Sequence, residues 1–448
     1  MTAMPSHMLL STTVPRYTSY PTAPQFHAGV TDETVLGWLD QVAEGERVSL
    51  YLHIPYCERL CWFCACHTRQ TLRYGPVAAY LTALKEEIRL VGARLVGRGV
   101  VGEIHWGGGS PTILTPEDMR ALQAFTAEHF TLAEDCRLSV EIEPTTIDPA
   151  RLDALGDIGL RRASIGIQDF DAAVQKAINR EQSFESTAAV VDGLRARGVP
   201  SINFDLIYGL PQQTLESLGA TVRQALSLRP ERIALFGYAH VPWFKKHQTM
   251  IDTASLPGPE ARLALVGAAE TAIEAAGYMP VGIDHFALPC DSLARAAREG
   301  RLSRNFQGYT DDGCRTLIGL GASSVSRFAQ GYCQNAAAQG DYARRMAEGR
   351  LATVKGIALS SDDEVRGAVI ERLMCDFSLS SRDLLRRFGR AAEPVLSTAL
   401  ALAQAGGGLV AEGETFRVAG DARKMARLVA AEFDAYRAGS TARHSLAV

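Results

Sequence analysis

Cys57, Cys61, Cys64 and Cys66 fall within ten residues in the pattern C-x3-C-x2-C-x-C, whereas Cys136, Cys290, Cys314, Cys333 and Cys375 are scattered and read as packing residues. Thiolates are the usual ligands of iron–sulfur clusters. A C-x3-C-x2-C loop wraps a cube corner by corner and leaves its fourth iron without a protein ligand, and an open metal position invites a ligand from outside. A structural zinc site using four of Cys57, Cys61, Cys64, Cys66 and His67 is the alternative, but such sites usually pair two short halves across a longer gap. A lone nucleophilic thiol does not explain four. The single residue between Cys64 and Cys66 points their side chains differently, which argues against both ligating one corner.

Other residue types could serve such a centre. Tyr51 and His53 alternate along one predicted strand and share a face, placing a tyrosine near the cysteines beside a histidine able to donate or shuttle a proton; a satisfied core histidine competes with that reading. Gly107-Gly108-Gly109-Ser110-Pro111-Thr112 follows another strand, where glycines let a ligand approach and leave N–H groups free, or simply make a tight turn. Glu141 ends a third strand, where a carboxylate can bond a ribose diol or merely be solvated. Asp284, His285 and His240 are acid–base types that we assign to packing or positioning.

These residues need elements to hold them. Short apolar runs at 50–54, 103–106, 138–142, 163–167, 202–208 and 233–238 alternate with helical patterns, which predicts βα units around a parallel sheet, better suited to an incomplete barrel than to an open doubly wound sheet. Chemistry should lie at the carboxyl ends of the strands. Leu81, Leu84, Ile88, Val91 and Leu95 recur at helical spacing and predict an apolar face against the sheet. The chain divides into an extended arm (1–35), a catalytic domain (36–350) and a small, mostly helical, winged-helix-like domain (351–448), the last opened by a capping box on Ser361 and Glu364 and containing a hairpin at 409–418. With 448 residues, 47% hydrophobic, and a net charge of −4, nothing favours nucleic acid or an anionic membrane as main partner. No signal peptide or spanning segment is recognised, so a cytoplasmic enzyme is expected; it is also expected to be a monomer.

C-x3-C-x2-C after the first strand resembles radical S-adenosylmethionine enzymes. Further motifs resemble one family among them, the oxygen-independent coproporphyrinogen III oxidases: Arg16-Tyr17-Thr18-Ser19-Tyr20-Pro21-Thr22, His105-Trp106-Gly107-Gly108-Gly109, Gln168-Asp169-Phe170, Asp205-Leu206-Ile207-Tyr208-Gly209-Leu210-Pro211 and Asn305-Phe306-Gln307-Gly308-Tyr309-Thr310. The resemblance implies a radical SAM barrel of incomplete (β/α)6 type. It implies a 4Fe–4S cluster on Cys57, Cys61 and Cys64, with Cys66 not a ligand but a family cysteine that related heme-trafficking chaperones commonly lack. It implies two molecules of S-adenosylmethionine, the first near Tyr51, Gly108, Glu141 and Val325 and the second near Phe63, Gly109, Ser110, Gln168, Arg180, Asp205 and Ala239. Tyr51, His53 and Cys66 are the catalytic candidates; Arg16, Phe306 and Gln307 are the substrate candidates, Arg16 because a guanidinium fork matches a propionate carboxylate. The implied reaction turns two propionates of coproporphyrinogen III into vinyl groups without oxygen, with flavodoxin or ferredoxin as electron donor. A methyl-transferring or heme-degrading relative and a heme-trafficking chaperone are the rivals. Gly313-Cys314-Arg315-Thr316 departs from the acidic residues expected there.

Overall fold

A computed structural model describes residues 12–437. The outer parts of the expected arm and C-terminal unit, 1–11 and 438–448, lie outside the described residues. In β1 (Arg47–Ile54), Val48, Leu50, Leu52 and Ile54 are fully buried under helices, while Ser49, Tyr51 and His53 alternate with them toward the interior. The same sidedness runs through β2 (Val100–Gly108), β3 (Leu132–Ile142), β4 (Leu160–Gln168), β5 (Ser201–Tyr208) and β6 (Arg232–Gly237). These are the six expected strands, each extended by one or more residues at its start. A short helix Asp32–Leu39 (α1) of about two turns precedes β1, so regular structure begins inside the expected arm.

Each strand leads into a covering helix: α2 (Gly75–Leu95), α3 (Pro116–His129), α4 (Pro149–Asp157), α5 (Phe184–Ala196), α6 (Leu215–Ser227) and α7 (Pro259–Ala275). Five expected apolar positions of α2, Leu81, Leu84, Ile88, Val91 and Leu95, are buried. Glu87 on the same helix is buried too, at 2% exposure.

Six further strands enlarge the sheet: β7 (Met279–Val281), β8 (His285–Ala287), β9 (Thr316–Leu320), β10 (Val325–Phe328), β11 (Gly331–Asn335) and β12 (Thr353–Ala358). The order is β12-β11-β10-β9-β1-β2-β3-β4-β5-β6-β8-β7. β9 runs parallel to β1, adding a seventh parallel strand, and the remaining additions are antiparallel. The ends of this series do not pair, so the barrel is incomplete.

β12 belongs to this sheet although it lies beyond 350, so the helical unit begins later than expected. Its first helix, α9 (Ser361–Asp376), follows α8 (Gln339–Ala347) and is capped by Ser360 with Asp363, one residue before the expected Ser361–Glu364 pair, because the cap side chain must reach the N–H three positions on. β13 (Ser378–Ser380), α10 (Ser381–Phe388), α11 (Glu393–Gln404), the hairpin β14 (Leu409–Glu412) and β15 (Thr415–Val418), and α12 (Ala422–Ala431) complete it. Val14, Tyr17 and Tyr20 of the arm are buried in its core. Among the described residues, no helix is long and apolar enough to cross a membrane.

Candidate active site

The chain leaves the carboxyl end of β1 directly into the cysteine loop. Cys57, Cys61, Cys64 and Cys66 line one cavity of about 260 Å³ with Gly108, Ser110, Glu141 and Gln168 at or next to carboxyl ends of strands, Asp205 within β5 and Arg180 from the connection after β4. The nine cysteines are free. Cys57 Sγ lies 3.2 Å from Thr68 Oγ1, Arg180 Nη1 donates to Cys61 Sγ at 3.5 Å, and the Cys66 N–H donates to Cys64 Sγ at 3.4 Å. Burial pushes the Cys57 thiol up to about 12, while the Cys66 thiol and N–H draw Cys64 below its ordinary value.

Three thiols, Cys57, Cys61 and Cys64, line one cavity from a single loop, a donor set that suits a 4Fe–4S cluster.

The loop is tethered on two sides. Trp62 N–H donates to Ile178 O at 2.9 Å and Asn179 Nδ2 to Leu60 O at 2.9 Å. Opposite, Lys245, His247 and Gln248 hold the carbonyls of Cys66, Cys64 and Phe63 at 2.8, 2.7 and 2.8 Å. Sequence reasoning missed these three residues. A fully buried glutamine such as Gln248 carries no spacing signal, because its partners are backbone atoms remote in sequence.

The glycine run works differently from the expectation of free N–H groups. Gly108 N–H donates to Glu141 Oε2 at 3.1 Å, Gly109 to Ile54 O at 2.9 Å, and Ser110 to Tyr56 O at 2.8 Å. The glycines are required by close packing instead: at Gly108, with φ of +113°, a Cβ would lie 2.5 Å from the His53 ring, and at Gly109 it would lie 2.5 Å from Tyr56 O.

His53 is the packed centre of this corner. Its Nε2 lies 2.9 Å from His67 O, an acceptor only, so Nε2 carries the proton and Nδ1 accepts from Tyr51 OH at 3.0 Å. Both ring nitrogens are thus engaged within the protein, and burial lowers the ring to about 4, so it stays neutral. The ring of Tyr51 stacks on His105 at 5.8 Å, and His105 Nε2 lies 3.3 Å from Glu141 Oε1. His105 was read in the sequence only as part of a motif, not as the neighbour of Tyr51 and Glu141.

Arg180 is no surface cation. At 9% exposure it donates from Nη2 to Gly166 O at 2.7 Å and pairs through Nη1 with Glu143 at 2.6 Å. Burial works against its charge, but Glu143 and Cys61 outweigh it and raise its pKa. Asp205 accepts from Ser164 at 3.1 Å and Asn203 at 2.9 Å, and burial pushes it up to about 6.

Other expected site residues stand apart. Ala239 and Arg16 line the neighbouring cavity, where Arg16 Nη2 donates to Gly237 O at 3.0 Å. Gln307 lines a small interior cavity of about 100 Å³ that meets the cysteine pocket at Ser164. Phe306 packs edge-on against Tyr332 at 6.1 Å, and Val325, on β10, packs in the same apolar cluster; neither lines the cysteine pocket. Cys314 lies just before β9, whose Thr316 pairs with Val48 near the start of β1, so the departure at 313–316 falls at the end of the barrel opposite the cysteine loop.

Comparison with known proteins agrees with this geometry. Residues 51–225 match the model of the Radical SAM superfamily. The coproporphyrinogen III oxidase of Escherichia coli (HemN), described as a radical SAM enzyme, superposes with a TM-score of 0.90 at 36% identity, covering 94% of this chain and 97% of that one. The oxygen-independent coproporphyrinogen III oxidase of Paracoccus denitrificans is 46% identical over 441 residues, 98% of each chain. That of Bradyrhizobium diazoefficiens is 47% identical over 438 residues, 97% of each. Barrel and cysteine loop together define a radical SAM protein. The chain belongs to the oxygen-independent coproporphyrinogen III oxidase family.

Proposed function

We propose that this protein converts two propionate side chains of coproporphyrinogen III to vinyl groups without oxygen, yielding protoporphyrinogen IX for heme synthesis. The observation that carries this reading is the loop of Cys57, Cys61 and Cys64, opening on a polar cavity at the carboxyl ends of the strands in a chain matched from end to end by this family. The cluster and S-adenosylmethionine supply, when bound, a 5′-deoxyadenosyl radical that takes a hydrogen atom from carbon. Each propionate loses one hydrogen atom from its β-carbon to that radical, then CO2 and one electron, the electron passing to an external acceptor; the bond from the α-carbon to the carboxylate breaks as the vinyl double bond forms between the α- and β-carbons.

The chain's own residues have positioning and exclusion to do. Cys57, Cys61 and Cys64 hold the cluster, and Cys66 faces the cavity beyond it. Glu141, oriented by His105 and the Gly108 N–H, offers a carboxylate to a ribose, with Tyr51, Gly108 and Val325 completing the first cofactor site. Phe63, Gly109, Ser110, Gln168, Arg180, Asp205 and Ala239 form a second cofactor site; six of these seven line the cysteine pocket, which supports placing a second S-adenosylmethionine there. Arg16 meets a propionate, with Phe306 and Gln307 on the substrate side. The protein works as a cytoplasmic monomer served by flavodoxin or ferredoxin.

Anaerobic incubation with coproporphyrinogen III, S-adenosylmethionine and a low-potential reductant should yield protoporphyrinogen IX, from protein holding about four irons per chain. Product without loss of CO2, or stoichiometric zinc in place of iron, would overturn the reading. Gln168→Ala with Asp205→Ala should spare the iron and lower bound S-adenosylmethionine from two per chain to one, counted by equilibrium dialysis.

A further inference from the structure

Phe236, near the end of β6, lines two cavities: the cysteine pocket on one side and, on the other, a cavity of about 380 Å³. Arg16 of the arm, Arg262 of α7, Arg304, and Arg423, Lys424 and Arg427 of α12 project into the second, with Asp284 and Glu270 as its acids. The lining holds six cations and two carboxylates; Glu274, 3.5 Å from Arg423, and Asp421, 2.6 Å from Lys424, stand just outside it, so the cations still exceed the acids by two in a chain whose net charge is −4.

The acids are already committed. Asp284 lies 2.7 Å from His285 Nδ1 and 3.9 Å from Arg304, and Glu270 lies 3.6 Å from Arg423 and 3.9 Å from Lys424. Among the described residues, Nε and Nη1 of Arg304 and of Arg423 are buried without a hydrogen-bond partner, and Arg304 is only 8% exposed. Buried guanidinium groups in surplus are costly unless an anion completes them. Burial lowers Arg427 to about 10, in keeping with a site short of negative charge.

The lining also has apolar members, Trp243, Leu256, Pro257 and Val266, the last one helical turn from Arg262. Apolar side chains beside guanidinium forks suit a ligand that is itself an apolar ring carrying carboxylate arms. We propose that this cavity binds the propionates that are not reacting, with Arg262, Arg304 and Arg423 as their hydrogen-bonding partners, so that the ring edge bearing the reacting propionate meets the cysteine pocket at Phe236. This rests on the activity proposed above and names the contacts through which that substrate is held.

The test is fluorescence titration of the full-length protein with coproporphyrin III, the oxidised form of the substrate, and with its tetramethyl ester, which keeps the ring and removes the charges. The wild type should bind the free acid at least tenfold more tightly than the ester. Arg262→Gln and Arg423→Gln should each weaken free-acid binding about tenfold and leave ester binding, iron content and bound S-adenosylmethionine unchanged. Arg262→Lys and Arg423→Lys, which keep the charge but not the fork, should recover part of the affinity. Equal binding of acid and ester, or glutamine variants that bind the acid as the wild type does, overturns the assignment. If the wild type converts coproporphyrinogen III while either of those results holds, only the propionate site fails; if it neither binds nor converts it, the activity itself fails.

Discussion

His53 illustrates how burial withdraws a histidine from acid–base duty. Its ring sits between Tyr51 and the His67 carbonyl, held near 4 against an ordinary 6.5, so across that interval the unfolded chain takes up the proton more readily than the folded one. Its contribution to stability is therefore complete above pH 6.5 and is lost as pH falls toward 4, with a slope of up to about 1.4 kcal/mol per pH unit. Urea unfolding at pH 7 and pH 5 should show a larger loss for wild type than for His53→Gln; equal losses would mean that the ring is not held neutral. Cys66 makes a sharper case. Three thiols already suffice to hold a cube, and Lys245 pins the Cys66 carbonyl and leaves its side chain facing the cavity. Cys66→Ser should keep its iron and lose vinyl formation, measured by iron assay beside product analysis. Loss of iron would make Cys66 a ligand or a folding requirement, and full activity would make it dispensable. The cysteine spacing was legible because the four cysteines lie on one loop. Of the partners of His53, Tyr51 was legible from the shared strand face, and His67 was not, since it acts through its backbone.

At the scale of elements, Glu87 links α2 to the chain segment after β9. Its carboxyl accepts from Gly321 N–H at 2.6 Å, Tyr342 OH on α8 at 2.8 Å and Asn335 Nδ2 on β11 at 2.7 Å. The segment it anchors also packs on the active corner, for at Gly321, with φ of +102°, a Cβ would lie 2.6 Å from His53 O. Burial pushes Glu87 up to about 7 despite its three donors. The sign is opposite to that of His53: stability from this group is complete below pH 4.5 and is lost as pH rises through 7. Glu87→Gln should cost about 2 kcal/mol near pH 5 and less near pH 8, read by denaturant midpoints, because an amide cannot accept from all three donors but also never ionises. An unchanging cost across that range would mean that Glu87 remains ionised. The six βα strands were readable from apolar runs followed by helical periods. β7 to β12 were not, because runs of three to six residues between turns carry little periodicity and owe their pairing to neighbours already in place.

Across the whole molecule, the arm, the barrel and the C-terminal unit meet at one cavity. Arg427 of α12 donates to Val14 O at 2.7 Å and Pro15 O at 3.3 Å, which places the adjoining Arg16 over the end of β6. Arg427→Ala should leave those carbonyls without their donor, speed proteolytic cleavage within residues 12–22 and lower affinity for coproporphyrin III, with iron content unchanged. A cleavage rate equal to wild type would show that Tyr17 and Tyr20, buried in the C-terminal core, hold the arm unaided. From the sequence alone came the cysteine loop, the succession of βα units and the family, since each rests on neighbours close along the chain: four thiols on one loop, an apolar period within one strand, a motif in one segment. Tertiary structure alone decided that β12 joins the large sheet, that the glycine run packs against His53 instead of offering free N–H groups, and that arginines from residues 16 to 427 converge on one cavity. A side chain's charge is a property of its sequence position, but the company it keeps is set by chain segments hundreds of residues away, brought together only when the core closes.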